Sequence, residues 1–174
     1  MTAMDLRPAA AADIPPLHAL IERAYRGNAA RQGWTHEADL LDGQRTDPEA
    51  LAEILADPAR VILVAQAQDG LIGCVQIADM GGGLSYLGLL SVDPARQAGG
   101  LGRRLVEAAE NEARARFSAT RMEMTVIRQR TELIAWYQRR DYALTGEARP
   151  FPMNEPRFGL PKAELSFVVL EKAL

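Results

Sequence analysis

Residues 89–105 read Leu-Leu-Ser-Val-Asp-Pro-Ala-Arg-Gln-Ala-Gly-Gly-Leu-Gly-Arg-Arg-Leu, a β-prone run, a glycine-rich turn and the start of an amphipathic helix in immediate succession. No other stretch narrows the fold as much. A strand that enters a helix through so tight a turn must lay the helix back on a sheet, which points to a layered α/β or α+β architecture. The same junction is built to hold an anion. The first-turn N–H groups of a helix have no partner within it, the helix dipole favours negative charge there, and glycines remove the side chains that would keep a phosphate away. Arg96, Arg103 and Arg104 add positive charge nearby. Taken alone, such a turn is equally well a tight bend beside a solvated helix face, so its meaning depends on the rest of the chain.

The elements around it alternate between strand and helix. A short strand near Met4–Arg7 leads to Asp13, read as an N-cap, with Pro15 and Pro16 in the first turn of a helix that repeats Ile14, Leu17, Ile21, Ala24 and Tyr25. Asp47-Pro48-Glu49 opens a second helix that stops at Asp57-Pro58. Residues 60–68 and 71–79 flank Asp69-Gly70 and read as a hairpin with a type I′ turn, and residues 84–92 form the next strand. The long helix that follows is expected to bury Leu101, Leu105, Ala108, Ala109 and Phe117. Residues 121–127 alternate as a strand, 131–140 as a helix, and Tyr142 and residues 165–170 begin and form the last strands. Two segments stay unassigned. Residues 26–46 are too long for a linker and are read as a functional loop, and residues 149–161, with four prolines, cannot be a central strand.

Length and composition exclude several classes. The 174 residues suit one domain, 1–174, and 48% hydrophobic with 25% charged residues rules out wholesale disorder. No apolar run approaches the ~18 residues of a membrane span, and a net charge of −3 argues against nucleic acid as a partner. Cys74 is alone, so it forms no intrachain disulfide. With only His18 and His36 besides, no metal site is expected, and a chain without an apolar leader is expected to be cytoplasmic. Cys74 reads as core filler.

Known phosphate motifs fit poorly. A P-loop requires Lys and then Ser or Thr after its last glycine, where this chain has Arg103-Arg104. A dinucleotide fingerprint started at Gly100 and Gly102 meets Leu105 at its third glycine, although Glu123 lies at a fitting distance for a ribose contact.

Residues 97–102, Gln-Ala-Gly-Gly-Leu-Gly, resemble the Q/R-x-x-G-x-G/A signature of the GNAT superfamily of N-acetyltransferases. Downstream, residues 133–142, Leu-Ile-Ala-Trp-Tyr-Gln-Arg-Arg-Asp-Tyr, look like the family's A-x-x-F/W-Y-x-x-x-G-F/Y block, and the order of elements matches along nearly the whole chain. The resemblance implies an acyl-CoA N-acyltransferase fold: a single mixed, mostly antiparallel sheet of six to seven strands with helices on both faces. It implies transfer of an acetyl group from acetyl-CoA, as cosubstrate and without a metal, to a primary amine of a small molecule or peptide by direct attack. It also makes a homodimer through the C-terminal strands plausible.

Carried over residue by residue, the resemblance implies that Leu90, Ser91 and Val92 hold the pantetheine arm and that Gln97, Ala98, Gly99, Gly100, Leu101, Gly102 and Arg103 hold the pyrophosphate. It makes Tyr137 the acid that protonates the departing thiolate, although Trp136 and Tyr137 also fall at helical spacing for core packing. The chain departs from the pattern at Gln97, where Arg is frequent, at Arg130, where Asn is frequent, and at Asp141, where Gly is usual; Asp tolerates the left-handed backbone that Gly would supply. Direct transfer needs a route for the amine's proton, for which Glu37, Asp39, Glu123 and His36 are candidates and Glu37 is preferred. Trp34, His36 and Glu123 are expected at the acceptor, and Trp34, Glu37 and Glu155 hint at a cationic or amphipathic amine. Two other classes remain open from sequence: a non-catalytic acyl-CoA-binding sensor and a dinucleotide-binding protein.

Overall fold

The structure, a computed structural model, describes residues 4–26, 37–153 and 159–174. Its strands are β1 (Asp5–Pro8), β2 (Leu41–Asp42), β3 (Arg60–Ala67), β4 (Gly70–Gly81), β5 (Leu84–Val92), β6 (Arg121–Ile127), β7 (Ala143–Pro150), β8 (Leu160–Pro161) and β9 (Ser166–Ala173). Its helices are α1 (Ile14–Tyr25), α2 (Pro48–Ala56), α3 (Leu101–Phe117) and α4 (Thr131–Gln138). Seven strands form one sheet in the order β1-β3-β4-β5-β6-β9-β7, antiparallel at every step except β5 to β6. The mixed, mostly antiparallel sheet expected from sequence is therefore present.

Both faces of the sheet are covered, which is why its central strands are apolar on alternate and on intervening positions alike. Ile62 and Val64 of β3 pack with Leu17, Leu20 and Ile21 of α1 and Leu51 and Ile54 of α2. Val61, Leu63 and Ala65 of the same strand face Leu105, Val106 and Ala109 of α3 on the other side. Phe117 and Ala108 only partly join that face, while Val106 and Ala113 are buried in it.

Local signals were met with two corrections. Asp47 caps α2 as expected, its Oδ1 accepting the Ala50 N–H at 2.7 Å. Asp13 stands at the N-cap position of α1 but its side chain bonds no N–H of that helix: it also closes a 3-10 turn, Ala11–Asp13, where its carboxylate accepts the Ala10 N–H at 2.8 Å and pairs with Arg7 at 2.8 Å. The β3–β4 turn is not type I′, because Gln68 and Asp69 keep negative φ and the positive value falls on Gly70 at +133°. The two unassigned loops meet each other: β2, from residues 26–46, pairs antiparallel with β8, from residues 149–161. Pro150 ends the edge strand β7, where a missing N–H is tolerated.

The strand–turn–helix unit is held by a glycine on the neighbouring strand. A Cβ on Gly73 of β4 would stand 2.8 Å from Leu105 Cδ1, 3.2 Å from Leu101 Cδ2 and 3.2 Å from the Ser91 carbonyl oxygen. The close approach of helix to sheet, which the dinucleotide pattern would take from a glycine on the helix, is thus supplied from the opposite surface. Gly73→Ala is expected to overpack this contact and to lower stability by about 1–3 kcal/mol, read as a fall in the denaturant midpoint; an unchanged midpoint would mean that the helix can move away freely.

Candidate functional site

Strands β5 and β6 pair only from Leu84↔Arg121 to Tyr86↔Glu123, although they continue to Val92 and Ile127. Beyond that point they splay. On its far side β5 bulges against β4, the register shifting between Cys74 and Gln76, and Leu89 adopts φ +51°, a costly left-handed conformation for a branched side chain. The Leu89 carbonyl is fastened there by the Ser91 hydroxyl at 3.0 Å and the Cys74 thiol at 3.4 Å. Gly88 leaves space for the ring of Tyr86, whose hydroxyl shares a hydrogen bond of 2.7 Å with Thr125 Oγ1 across the gap. Cys74 is fully buried, and burial pushes its thiol up to about 12. It carries no nucleophilic chemistry at neutral pH.

The gap opens into a groove between the glycine turn and α4. Leu90, Val92, Gln97, Gly100, Gly102 and Arg103 line one side, and Leu133, Trp136, Tyr137 and Arg140 the other. Gly100 takes φ +72° as the residue before α3, and nothing lies within 4 Å of where its Cβ would be. A Cβ on Gly102 would come within 3.4 Å of Trp136 and 3.8 Å of Val92. Arg140 stacks over Trp136 at 3.8 Å, and its Nε is buried with no partner among the described residues. Burial first, and then Arg139 and Arg103, lower its pKa, the signature of a positive cluster that an anion would relieve. Asp141, with φ +71°, makes the left-handed turn after α4 where the family pattern has glycine.

A second cavity fills the splay itself, between Tyr86–Leu90 of β5 and Met124–Ile127 of β6. Tyr25, Leu90, Arg130, Leu133 and Tyr137 belong to the walls of both spaces. The Tyr25 hydroxyl donates to the Leu90 carbonyl at 2.7 Å, and burial pushes its pKa to about 12. The Tyr137 hydroxyl donates to no described residue, and burial raises its pKa further. Both phenols stay protonated through the physiological range.

Glu37 lies at the far end, buried with Arg26 and Arg130. Its Oε2 accepts from Arg26 at 2.7 and 2.9 Å and its Oε1 from Arg130 at 3.3 Å. Burial alone would raise its pKa, but Arg130, Arg45 and Arg26 together hold it below the ordinary carboxylate value.

A family model described as Acetyltransferase (GNAT) family matches residues 19–142. The chain belongs to the GNAT acetyltransferase family. It is 35% identical over 100 residues to an IAA acetyltransferase of Azospirillum brasilense, a match that covers 57% of this chain and 65% of that relative's length. In fold it resembles yncA of Salmonella typhimurium, solved with its cofactor acetyl-CoA, at a TM-score of 0.68 and 21% identity over 99% of this chain and 94% of that one. It also resembles the ribosomal-protein-S18-alanine N-acetyltransferase of Escherichia coli, at 0.73 and 13% identity over 98% and 94% of the two chains.

The family's cofactor, acetyl-CoA, is long, apolar along its arm and anionic at its pyrophosphate, and the groove has matching chemistry: a glycine-walled turn, an apolar flank and the unpartnered Arg140 Nε. Of the residues singled out in the sequence, Leu90, Val92, Gln97, Gly100, Gly102, Arg103 and Tyr137 line it. Ser91 and Leu101 instead brace the turn from within, Ser91 through the Leu89 carbonyl and Leu101 in the core; Gly99 stands in the turn itself. Ala98 belongs to the same turn, and Arg96 turns away to pair with Asp69. Glu123 lines none of these cavities: it is buried and held at both oxygens by Arg149, each at 3.1 Å. Trp34 and His36 lie outside the described residues. Sequence reasoning passed over Arg140, Tyr25 and Arg45, of which only Arg140, set within the second motif, stood near a recognised signal.

The ion-pair geometry makes Glu37 a poor proton acceptor and a strong structural anchor. Its lowered pKa means that the stability it contributes is present above about pH 4.5, the unfolded value, and is lost as pH falls through the lower folded one. Glu37→Gln should therefore cost about 3–5 kcal/mol at pH 7, by leaving buried guanidinium groups uncompensated, and should flatten the loss of stability below pH 4.5. Unchanged stability at pH 7 would contradict the assignment.

Proposed function

We propose that the chain transfers the acetyl group of acetyl-CoA to a primary amine by direct attack, the first space receiving the cosubstrate and the second the acceptor. The observation that carries this reading is the position of Tyr137 in the wall shared by both, its hydroxyl uncommitted among the described residues.

Bound acetyl-CoA supplies an acetyl group activated as a thioester. The main chain of Leu90 and Val92, on the open edge of β5, is available to pair with the pantetheine amides, and the Val92 N–H to polarise the carbonyl. The amides of residues 97–102 with Arg103 and Arg140 receive the pyrophosphate. When the amine nitrogen bonds to the acetyl carbon, the carbon–sulfur bond breaks with its electron pair on sulfur. Tyr137 gives that sulfur its proton, and the proton shed by the nitrogen returns through water to restore the phenol. Burial keeps the phenol protonated, so its proton is in place when the sulfur departs.

No separate base is required if the amine arrives neutral. The one carboxylate in the walls of these cavities, among the described residues, is Glu37, and the arginines around it disfavour an ammonium ion. Glu37 then positions Arg26 and Arg130 rather than taking a proton.

The test is release of CoA thiol across a panel of primary amines. Tyr137→Phe is expected to lower turnover by about 10² to 10⁴ with little change in acetyl-CoA affinity, whereas full turnover would return Tyr137 to a packing role. Gly100→Glu should abolish acetyl-CoA binding in a folded protein, since its site is open and the added cost is a positive φ of about 1–2 kcal/mol. Retained affinity would contradict the placement of the pyrophosphate.

A further inference from the structure

Beyond the splay lies a third space, lined by Arg26, Glu37, Arg45, Phe151, Pro152 and Phe167. It shares Glu37, Arg45 and Phe167 with the cavity between β5 and β6, so the three spaces adjoin in a row, a track of shared walls from the glycine turn to this end. Its two halves differ in chemistry. One is apolar, with the rings of Phe151 and Phe167 tilted at 5.2 Å beside Pro152. The other is cationic: Arg26 and Arg45 line it, and with Arg130 they act on the carboxylate of Glu37.

Arg45 reaches Glu37 by charge alone, with no hydrogen bond between them. Glu37 spends its oxygens on Arg26 and Arg130, and the Arg45 guanidinium, half-buried, faces the Tyr25 ring at 5.1 Å without a carboxylate partner among the described residues. Its position is nevertheless fixed. The Glu22 carboxylate on α1 accepts the Arg45 N–H at 2.7 and 3.0 Å and the Thr46 N–H at 2.9 Å, which ties the backbone at Arg45 to the helix. A guanidinium that extends from a fixed main chain into the wall of a cavity, with its fork of donors uncommitted among the described residues, matches a planar carboxylate.

We propose that the acceptor is an amino acid with an apolar side chain, its carboxylate held by Arg45, its side chain against Phe151 and Phe167, and its amine directed along the track toward Tyr137. The assignment rests on the acetyl-transfer reading above and reverses the cationic acceptor suggested by the sequence. The Arg45 guanidinium repels a polyamine, attracts a carboxylate and favours the neutral form of the amine that must react.

The test uses the full chain with CoA bound and measures binding of the product form, so that it does not depend on turnover. Titration calorimetry compares N-acetyl-leucine, N-acetylmethionine and N-acetylphenylalanine with their amides, which keep the shape and lose the charge. The acids are expected to bind at least about tenfold more tightly than the amides, and Arg45→Gln to remove that preference while acetyl-CoA affinity stays within about twofold. Arg45→Lys should keep part of the preference, which separates loss of charge from loss of fold. Equal binding of acid and amide, a preference for the amide, or binding of neither while acetyl-CoA still binds would overturn the proposal. Failure of acetyl-CoA itself to bind would instead overturn the reading on which it rests.

Discussion

The separation of β5 from β6 beyond Tyr86 and Glu123 is the constraint on which the other features depend. Two neighbouring parallel strands that stop pairing leave main-chain donors and acceptors facing a gap, and such groups are costly unless something polar fills it. The bulge at Leu89 helps to set the separation, and its strained backbone persists because Ser91, Cys74 and the close packing of Leu105 on Gly73 over-determine it. The glycine turn and α3 then follow from where β5 ends. The cradle, the open strand edge and the phenol of Tyr137 are thus parts of one local solution to one packing problem.

Electrostatics divides this space into two ends. At the mouth, Arg103, Arg139 and Arg140 crowd one another. At the far end, Arg26, Arg45 and Arg130 surround Glu37 and hold its pKa down. A buried carboxylate so placed is explained by the guanidinium groups it organises, because its pairs must offset the desolvation of every partner. Between the two ends the walls combine Leu87, Met124 and Val126 with the polar Tyr86, Thr125 and Arg130, and the phenols of Tyr25 and Tyr137 stay protonated. The positive mouth suits the anionic end of the family's cosubstrate.

Much of the fold was legible in the sequence, because periodicity and turn chemistry are local. The start of α3 at Leu101, the cap of α2 at Asp47 and the left-handed turn at Asp141 were each written in a few adjacent residues. The glycine turn before α3 was legible for the same reason, and the position of Tyr137 in the groove wall followed from the motif around it. What could not be read is what tertiary contact decides. Gly73 looks like any strand glycine until α3 is laid on it, and Glu37 and Arg130 form their pair across 93 positions of chain. Glu123 has the spacing of a cleft residue, yet Arg149 of β7 reaches across the intervening β9 and takes its carboxylate. Arg45 sits in a polar stretch where nothing in the local pattern separates it from a solvated arginine.

Titration calorimetry of the chain with acetyl-CoA, with NAD as the control, tests the central claim most directly, since it requires no acceptor. The splayed strands and the arginine-rich mouth predict saturable binding of acetyl-CoA with one site per chain and no comparable heat from NAD. Equal binding of both ligands, or no binding of acetyl-CoA by folded protein free of carried-over CoA, would contradict the assignment of the groove and of every role derived from it.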